Sequence, residues 1–400
     1  MSHKLEIEMI VGSVFDDVKK STIPPFSDTI MDFLAALSST LLKFPDIRNF
    51  PDIVSFAYWC RKSNLVRLRQ NFNHTHKRLG RGVVLHIAPS NVPINYAFSL
   101  AFGLLAGNIN IVRVSKIERP QIKIICNAIN FLLGLEKYNK IKSMVTVLSY
   151  PRNSETTKEL SLYADARMIW GGDTTIRTIR SMPTQPRCVD VCFADRYSLC
   201  ILNAKAIIDT STNTFQKLLI NFFNDTFLFD QNACSSPHLV IWQGTDKNVK
   251  LAKKRFWTRM ERFVYEKSPI APIHSIDKFM HVCRLAIKLD TITAILGYKN
   301  QVTRVQLKDL PTKIDDLRGR YGFFVETIDN KLENFTKIVN SKYQTITYFG
   351  LNPEKIRECV FSKGLSGVDR IVPVGEALNI DTTWDGYNLL ETLSRIVDIK

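Results

Sequence analysis

The sequence predicts an α/β protein built on parallel sheets, and three observations carry the expectation. Between residues 83 and 174, short apolar runs alternate with helix-length amphipathic segments, the pattern of strands joined by crossover helices. A second alternation of the same kind follows residue 200. The chain has 400 residues, 45% hydrophobic and 23% charged, which suits a globular protein of two or three domains.

Residues 1–80 read as mainly helical and loop-like, punctuated by Pro24-Pro25 and by Pro45 and Pro51. Residues 83–88 form a buried strand. Asn91 is placed to cap the next helix, with Pro93 in its first turn and Gly107 at its end. Residues 109–114 form the next strand, and Pro120 opens a helix whose apolar face uses Ile122, Ile125, Ile129 and Leu132. Strands at 144–148 and 166–170 follow. The second of these ends in Gly171-Gly172-Asp173-Thr174, which opens another helix. Beyond residue 200, a helix around 215–223 precedes a small polar turn. Strands are then expected at 239–242, 301–307, 322–328, 344–349 and 369–374. The last thirty residues read as a strand, a Trp384-Asp385-Gly386 turn and a final helix. The domain reading is 1–80 as a mainly helical N-terminal region packed on a first α/β domain, 81–200. A second α/β domain at 201–370 and a C-terminal segment at 371–400 complete it.

Composition narrows the function classes. No apolar run approaches a membrane span, and the N-terminus lacks the charged-then-apolar pattern of a signal peptide. A cytoplasmic protein is expected. Eight cysteines are scattered without Cys-x-x-Cys spacing, and Cys188 and Cys192 have no histidine nearby. Free thiols in a reducing compartment are expected, with no metal. The net charge of +16 reads first as a lysine-rich solvated surface, and is compatible with nucleic acid or with anionic small molecules such as nucleotides and coenzyme A. No recognition-helix, finger or RNA-sheet signature supports nucleic acid. The densest basic segment, 247–267, carries eight Lys or Arg and reads as an amphipathic helix with a solvated basic face. Gly80-Arg81-Gly82 precedes a strand and lacks a third glycine, so it fails as a dinucleotide fingerprint. Phosphate-loop, zinc-protease and serine-elbow motifs are missing.

Four segments fit together. His86-Ile87-Ala88-Pro89-Ser90-Asn91-Val92-Pro93 puts an amide at the carboxyl end of a strand, where ligands bind in open α/β sheets; it suits an oxyanion donor or a helix cap. Asn110 to Lys116 ends a strand in two basic residues, Arg113 and Lys116, apt for ribose or phosphate or simply an exposed pair of charges at a loop. Trp170-Gly171-Gly172-Asp173-Thr174 opens a helix whose backbone N–H groups can meet a pyrophosphate, although Asp173 also serves as a simple cap. Asp230 to His238 sets Cys234 on a polar turn between two buried segments. One thiol among eight is by itself commonly inert. His238, His274 and His281 are the partners that a Cys–His hydrolase would use.

The order of these segments resembles the aldehyde dehydrogenase superfamily, and more closely the LuxC family of long-chain acyl-CoA (fatty acid) reductases, which supply aldehyde to bacterial luciferase. The resemblance rests on Gly82 to Pro93, Gly103-Leu104-Leu105-Ala106-Gly107-Asn108, Ile169 to Asp173, Ala233-Cys234-Ser235-Ser236-Pro237, Gly367 to Gly375 and Trp384-Asp385-Gly386. It implies an aldehyde dehydrogenase-like fold, with a Rossmann-type cofactor domain and an α/β catalytic domain. It implies Cys234 as nucleophile and Asn91 as oxyanion donor. Arg113, Ser115, Lys116, Gly171, Gly172 and Asp173 fall at the cofactor. Lys116 stands where NAD-preferring members carry a glutamate, so NADPH is expected. The stretch that corresponds to the water-activating glutamate segment of aldehyde-oxidising members, Asp190-Val191-Cys192-Phe193-Ala194-Asp195-Arg196, holds no glutamate, and Cys192 sits nearest its position. That absence suits an enzyme which passes its acyl group to hydride. The implied reaction is reduction of an acyl-CoA or acyl-protein thioester to the aldehyde. Oxidation of aldehydes and non-redox acyl transfer are the alternatives, and a non-catalytic scaffold of the same fold is a further one. A homo-oligomer working beside an acyl-protein synthetase is implied too, in luminescence or another pathway.

Overall fold

The computed structural model describes residues 7–12, 21–72, 76–89, 92–115, 119–152, 155–268 and 270–400. The chain forms two compact units, residues 1–194 with 381–400, and residues 195–380.

The first unit carries strands β1 (Glu8–Val11), β2 (Arg78–Gly80), β3 (Val83–Ile87), β4 (Ile109–Val114), β5 (Val145–Ser149), β6 (Ala166–Trp170) and β7 (Val189–Phe193). Its main sheet has the order β1-β5-β4-β3-β6-β7. All neighbours are parallel except β1, which runs antiparallel to β5. The chain leaves β3 through β4 and β5 on one side, then returns to β6 and β7 on the other. This reversal opens a crevice at the carboxyl ends of β3 and β6.

The helices of this unit are α1 (Asp28–Leu42), α2 (Pro51–Trp59), α3 (Lys62–Asn71), α4 (Asn95–Leu105), α5 (Pro120–Leu133), α6 (Asn139–Lys142), α7 (Thr156–Tyr163) and α8 (Asp173–Arg180). Leu160 of α7 and Ile176 and Ile179 of α8 cover one face of β3 and its neighbours. On α4 every residue but Asn95 is buried. Phe98 and Phe102 of α4 pack edge-on against Trp59, with ring centroids 5.5 and 5.2 Å apart. Helix α4 begins at Asn95, not beside Asn91. The Asn95 N–H bonds to Val92 O and the Ala97 N–H to Ile94 O, so Pro93 lies in a turn ahead of the helix.

The second unit holds β8 (Tyr197–Asn203), β9 (Pro237–Gln243), β10 (Ile292–Tyr298), β11 (Val302–Leu307), β12 (Phe323–Asp329), β13 (Tyr343–Phe349) and β14 (Arg370–Pro373), in the order β10-β11-β12-β9-β8-β13-β14. Only β10 runs antiparallel to its neighbour. Helices α9 (Ala204–Asp209), α10 (Thr212–Phe227) and α11 (Asp246–Lys267) cover one face, where Phe222, Trp242, Phe256 and Trp257 form an aromatic core. Helices α12 (Pro272–Lys288) and α13 (Pro353–Ser362) contribute Leu285 and Ile356 to the core on the other face.

The chain end returns to the first unit. Strands β15 (Thr383–Trp384) and β16 (Tyr387–Asn388) form a hairpin. Asp385 and Gly386 at its tip both have positive φ, 49° and 74°, as a two-residue turn of this twist requires. The expected final helix is one turn only, α14 (Leu389–Thr392), followed by β17 (Ser394–Ile396) antiparallel to β2. The edge of β2 offers this segment a ladder. Asn108 Nδ2 donates to Leu393 O at 2.9 Å and Arg78 to Glu391 O at 2.7 Å, stopping the helix. No helix among the described residues is long and apolar enough to cross a membrane.

Candidate active site

Cys234 sits in the loop between α10 and β9, at the amino-terminal edge of the second unit's sheet. Strands β8, β9, β12 and β13 all start there. The loop is fixed by its own residues. Gln231 N–H donates to Thr226 O at 2.8 Å and Asn232 N–H to Phe229 O at 2.8 Å. These bonds reverse the chain through Asp230 and Gln231, which have φ of 52° and 57°. Left-handed backbone at two non-glycine residues is sparsely populated and persists where surrounding bonds hold it.

The buried Gln231 side chain supplies those bonds. Its Oε1 accepts from the N–H groups of Gly322 and Phe323 at 2.8 and 2.9 Å. Its Nε2 donates to Pro237 O and Phe323 O at 3.2 and 3.1 Å. One amide thereby ties the cysteine loop to the first residues of β9 and β12. Ser198 on β8 adds a second tether. Its hydroxyl donates to Cys234 O at 2.7 Å and accepts from Thr345 N–H at 3.2 Å. Ser236 N–H closes the turn on Ala233 O at 3.0 Å. Cys234 itself is half-buried, and no disulfide joins any of the eight cysteines.

The three histidines considered as partners are occupied structurally. His238 is the second residue of β9 and stacks on Tyr197 at 5.6 Å. Burial, with Arg318 nearby, pushes its pKa down to about 3, so it stays neutral. His281 bonds through Nε2 to Leu317 O at 2.8 Å. His274 stacks on Tyr321 at 3.6 Å.

In the first unit, the described cofactor candidates lie at the carboxyl ends of β4 and β6, the strands on either side of β3. Arg113 and Ser115 lie at the end of β4; Gly171, Gly172 and Asp173 follow β6. Asn91 and Lys116 lie outside the described residues. Arg113 donates to Tyr150 O at 3.3 Å, and its guanidinium lies 5.5 Å from the Tyr150 ring. Burial lowers its pKa without discharging it. Gly172 is the N-cap of α8 and Asp173 its first residue, where a carboxylate complements the helix dipole. A Cβ on Gly172 would meet nothing within 4 Å, so the backbone there faces open space that a flat or phosphorylated ligand can approach.

Beneath this edge runs a buried polar relay that the sequence did not disclose. Trp170 Nε1 donates to Ser99 Oγ at 3.2 Å, and Ser99 Oγ meets His86 Nδ1 at 2.8 Å. His86 Nε2 meets Asn110 Oδ1 at 3.0 Å, and Asn110 Nδ2 donates to Asn108 O at 2.7 Å. One assignment satisfies every member: His86 carries its proton on Nε2 and accepts from Ser99. Gly103 makes room, because a Cβ there would collide with Asn110 Oδ1. Trp170, so held, stacks on Phe193 at 3.7 Å, which fixes the residue just ahead of Gly171.

Burial pulls the His86 pKa down to about 4. The unfolded state, with a pKa near 6.5, therefore binds a proton that the folded state refuses between pH 6.5 and 4. His86 burial is fully compatible with folding above pH 6.5, and stability falls as pH drops toward 4, by at most about 1.4 kcal/mol per unit. Urea unfolding of the wild type and His86→Gln at pH 7 and pH 5 checks this. The variant is expected to be less stable at pH 7 and to lose less on acidification.

Strand β7 holds Asp190 to Phe193, part of the stretch that the resemblance places at the water-activating glutamate of aldehyde-oxidising enzymes. Asp190 is engaged by Arg167, Nε to Oδ1 at 2.7 Å and NH2 to Oδ2 at 2.8 Å, and Arg167 is itself 2% exposed. Cys192, two residues on, has its pKa raised by burial and then by Asp190. A carboxylate clamped in a bidentate pair is poorly placed to take a proton from water.

A model of the family described as "Acyl-CoA reductase (LuxC)" matches residues 52–396. The chain belongs to the LuxC family. Among similar proteins, a long-chain acyl-protein thioester reductase of Vibrio harveyi is 28% identical over 181 residues, 44% of this chain and 35% of the relative. One of Photorhabdus laumondii subsp. laumondii is 22% identical over 338 residues, 79% of this chain and 63% of the relative. These matches thus cover from about a third to just under two thirds of the relatives' lengths. The fold is that of aldehyde dehydrogenases. A salicylaldehyde dehydrogenase from Pseudomonas putida G7 superposes with a TM-score of 0.65 at 14% identity, covering 93% of this LuxC chain and 85% of that one. A lactaldehyde dehydrogenase superposes at 0.63 and 12% identity, covering 92% and 86%.

Proposed function

We propose that this LuxC-family chain reduces an activated fatty acyl group to the aldehyde through an acyl thioester on Cys234, using NADPH. The observation that carries the reading is the rigid Cys234 turn, held by Gln231 and Ser198, in a chain whose family is named for acyl-CoA reduction. The names of the relatives favour an acyl-protein thioester as donor over acyl-CoA, and the family resemblance implies an acyl-protein synthetase as the partner that charges it.

The Cys234 thiolate adds to the thioester carbonyl carbon. The carbonyl electron pair moves to oxygen, where the Cys234 backbone N–H and the Asn91 amide stabilise it. The carbon–sulfur bond to the donor breaks, and the donor leaves as a thiol after taking a proton from solvent. NADPH, held by Arg113, Ser115, Lys116 and the backbone of Gly171 to Asp173, would supply the two electrons of the reduction as hydride to the acyl carbon. The Cys234 carbon–sulfur bond then breaks, releasing aldehyde and restoring the thiolate. The pairing of Asp190 with Arg167 keeps that carboxylate from activating water. This argues against the oxidative direction, in which an acid is released.

Cofactor contacts fall to Arg113, Ser115 and Lys116 at the adenosine ribose and its 2′-phosphate. The backbone of Gly171, Gly172 and Asp173 is assigned to the pyrophosphate. A charge-assisted bond to the 2′-phosphate is worth about 1.5–3 kcal/mol, so NADPH should bind roughly 10- to 100-fold more tightly than NADH. Fluorescence titration of both nucleotides tests this, and Lys116→Glu should narrow the gap. Equal affinities, or tighter NADH, would refute the assignment.

A further inference from the structure

Helix α12 presents an apolar stripe that the catalytic reading does not use. Its inward side is settled by Leu285, which is fully buried, and by Lys278, whose Nζ donates to the carbonyls of Asn300 and Gln301. Its outward side carries Ile273, Ile276, Met280, Cys283 and Ile287, spaced three, four, three and four residues apart. That is the a/d spacing of a helix that packs on another helix. The four members other than the half-buried Cys283 are between 49% and 84% exposed, and neighbouring Phe279 is 65% exposed. A contiguous apolar stripe of this kind marks an interaction surface.

The charges beside the stripe identify the occupant. Asp277 and Arg284 lie seven residues apart on the same flank, and both are exposed. Among the described residues, Asp277 has a distant contact with His274 on its own helix, 3.9 Å. If two copies of α12 pack antiparallel about a two-fold axis near Met280, Asp277 of each copy faces Arg284 of the other. Parallel packing would instead set this flank against the partner's other flank, where Phe279 and Ala286 lie, and would form no such pairs. The face is therefore complementary to itself in one orientation, as an isologous contact requires. The helix is about 25 Å long, so the contact is small for a stable interface and should dissociate on dilution.

We propose that α12 is a self-association surface, joining two copies of this chain through an antiparallel helix pair. This proposal does not depend on the catalytic reading. Sedimentation velocity of the full chain tests it with Ile276→Glu/Ile287→Glu, Asp277→Arg, Arg284→Asp and the double reversal Asp277→Arg/Arg284→Asp. The wild type is expected to show a species of twice the mass seen for Ile276→Glu/Ile287→Glu. Each single reversal should shift the population to the smaller species, and the double reversal should restore the larger. All changed residues are exposed, and unchanged thermal unfolding would show that each variant is folded. Identical masses for all five proteins, or no restoration by the double reversal, would overturn the proposal. So would loss of flotation with anionic vesicles in Ile276→Glu/Ile287→Glu at unchanged mass, which would make the face a lipid surface.

Discussion

Replacing Cys234 with alanine is expected to abolish aldehyde formation, by roughly 10⁴-fold or more, as loss of a covalent nucleophile does. Cofactor binding should survive, because the residues assigned to it lie in the other unit, at the carboxyl edge of a separate sheet. Asn91→Ala should be milder, about 10²–10³-fold, the usual cost of one oxyanion donor. The measurement is steady-state reduction of a long-chain acyl thioester, followed by NADPH consumption, alongside NADPH titration of each variant. A Cys234→Ala protein retaining more than a few per cent of activity would remove the thiol from the reaction.

The second large effect is expected at Gln231, which touches no reacting atom. Gln231→Leu keeps the volume but strands the Gly322 and Phe323 N–H groups and the Pro237 and Phe323 carbonyls. The loss should be on the order of 3 kcal/mol. The left-handed backbone at Asp230 and Gln231 keeps its backbone bonds but loses its side-chain tether to β9 and β12, and Cys234 shifts. A displacement of about 1 Å costs on the order of 10² in rate. Gln231→Glu separates fold from chemistry. It keeps the acceptor for Gly322 and Phe323 but turns a carboxylate oxygen toward two carbonyls. Both variants should lower kcat more than they raise KM, and Gln231→Glu should recover partially as the pH falls and its carboxyl protonates. A Gln231→Leu protein with wild-type stability and rate would contradict this role.

The parts of the fold legible in the sequence were those made of uninterrupted apolar runs. β4 and β6 lie where the runs put them, and β9, β11, β12 and β13 lie within two residues of expectation. Buried on both faces, such strands leave no other reading for Ile109 to Val114. β7 was not read as a strand because Asp190 interrupts its run, and β8 was missed although Leu199 to Leu202 is as long an apolar run as the one read at 239–242. Only the fold reveals Arg167 beside Asp190 and the Cys234 carbonyl beside Ser198. β10 escaped for another reason: it is an edge strand, half exposed, and paired antiparallel. The helix expected from Asn91 starts four residues later because the turn at Val92 to Ile94 satisfies the backbone first.

Within the candidate site, Cys234 was legible as a small polar turn between apolar flanks. Its supports were not. Gln231 stands three residues away in the same stretch, but its partner Phe323 lies 92 residues on, and no local pattern signals a bond of that span. The His86 relay was hidden likewise, since Ser99, Asn110 and Trp170 meet only after α4 settles on β3, β4 and β6. Arg113 was legible as a cation at a strand end, but not its tie to the Tyr150 carbonyl.

The most direct test of the central claim is to trap the acyl group. The protein is incubated with a labelled long-chain acyl thioester without NADPH, digested, and the labelled peptide sequenced by mass spectrometry. One hydroxylamine-labile acyl group on Cys234 is predicted, released as aldehyde on adding NADPH with one NADPH oxidised per acyl group. Label on another residue, aldehyde formed with no acyl-enzyme, or discharge as free acid would contradict the account.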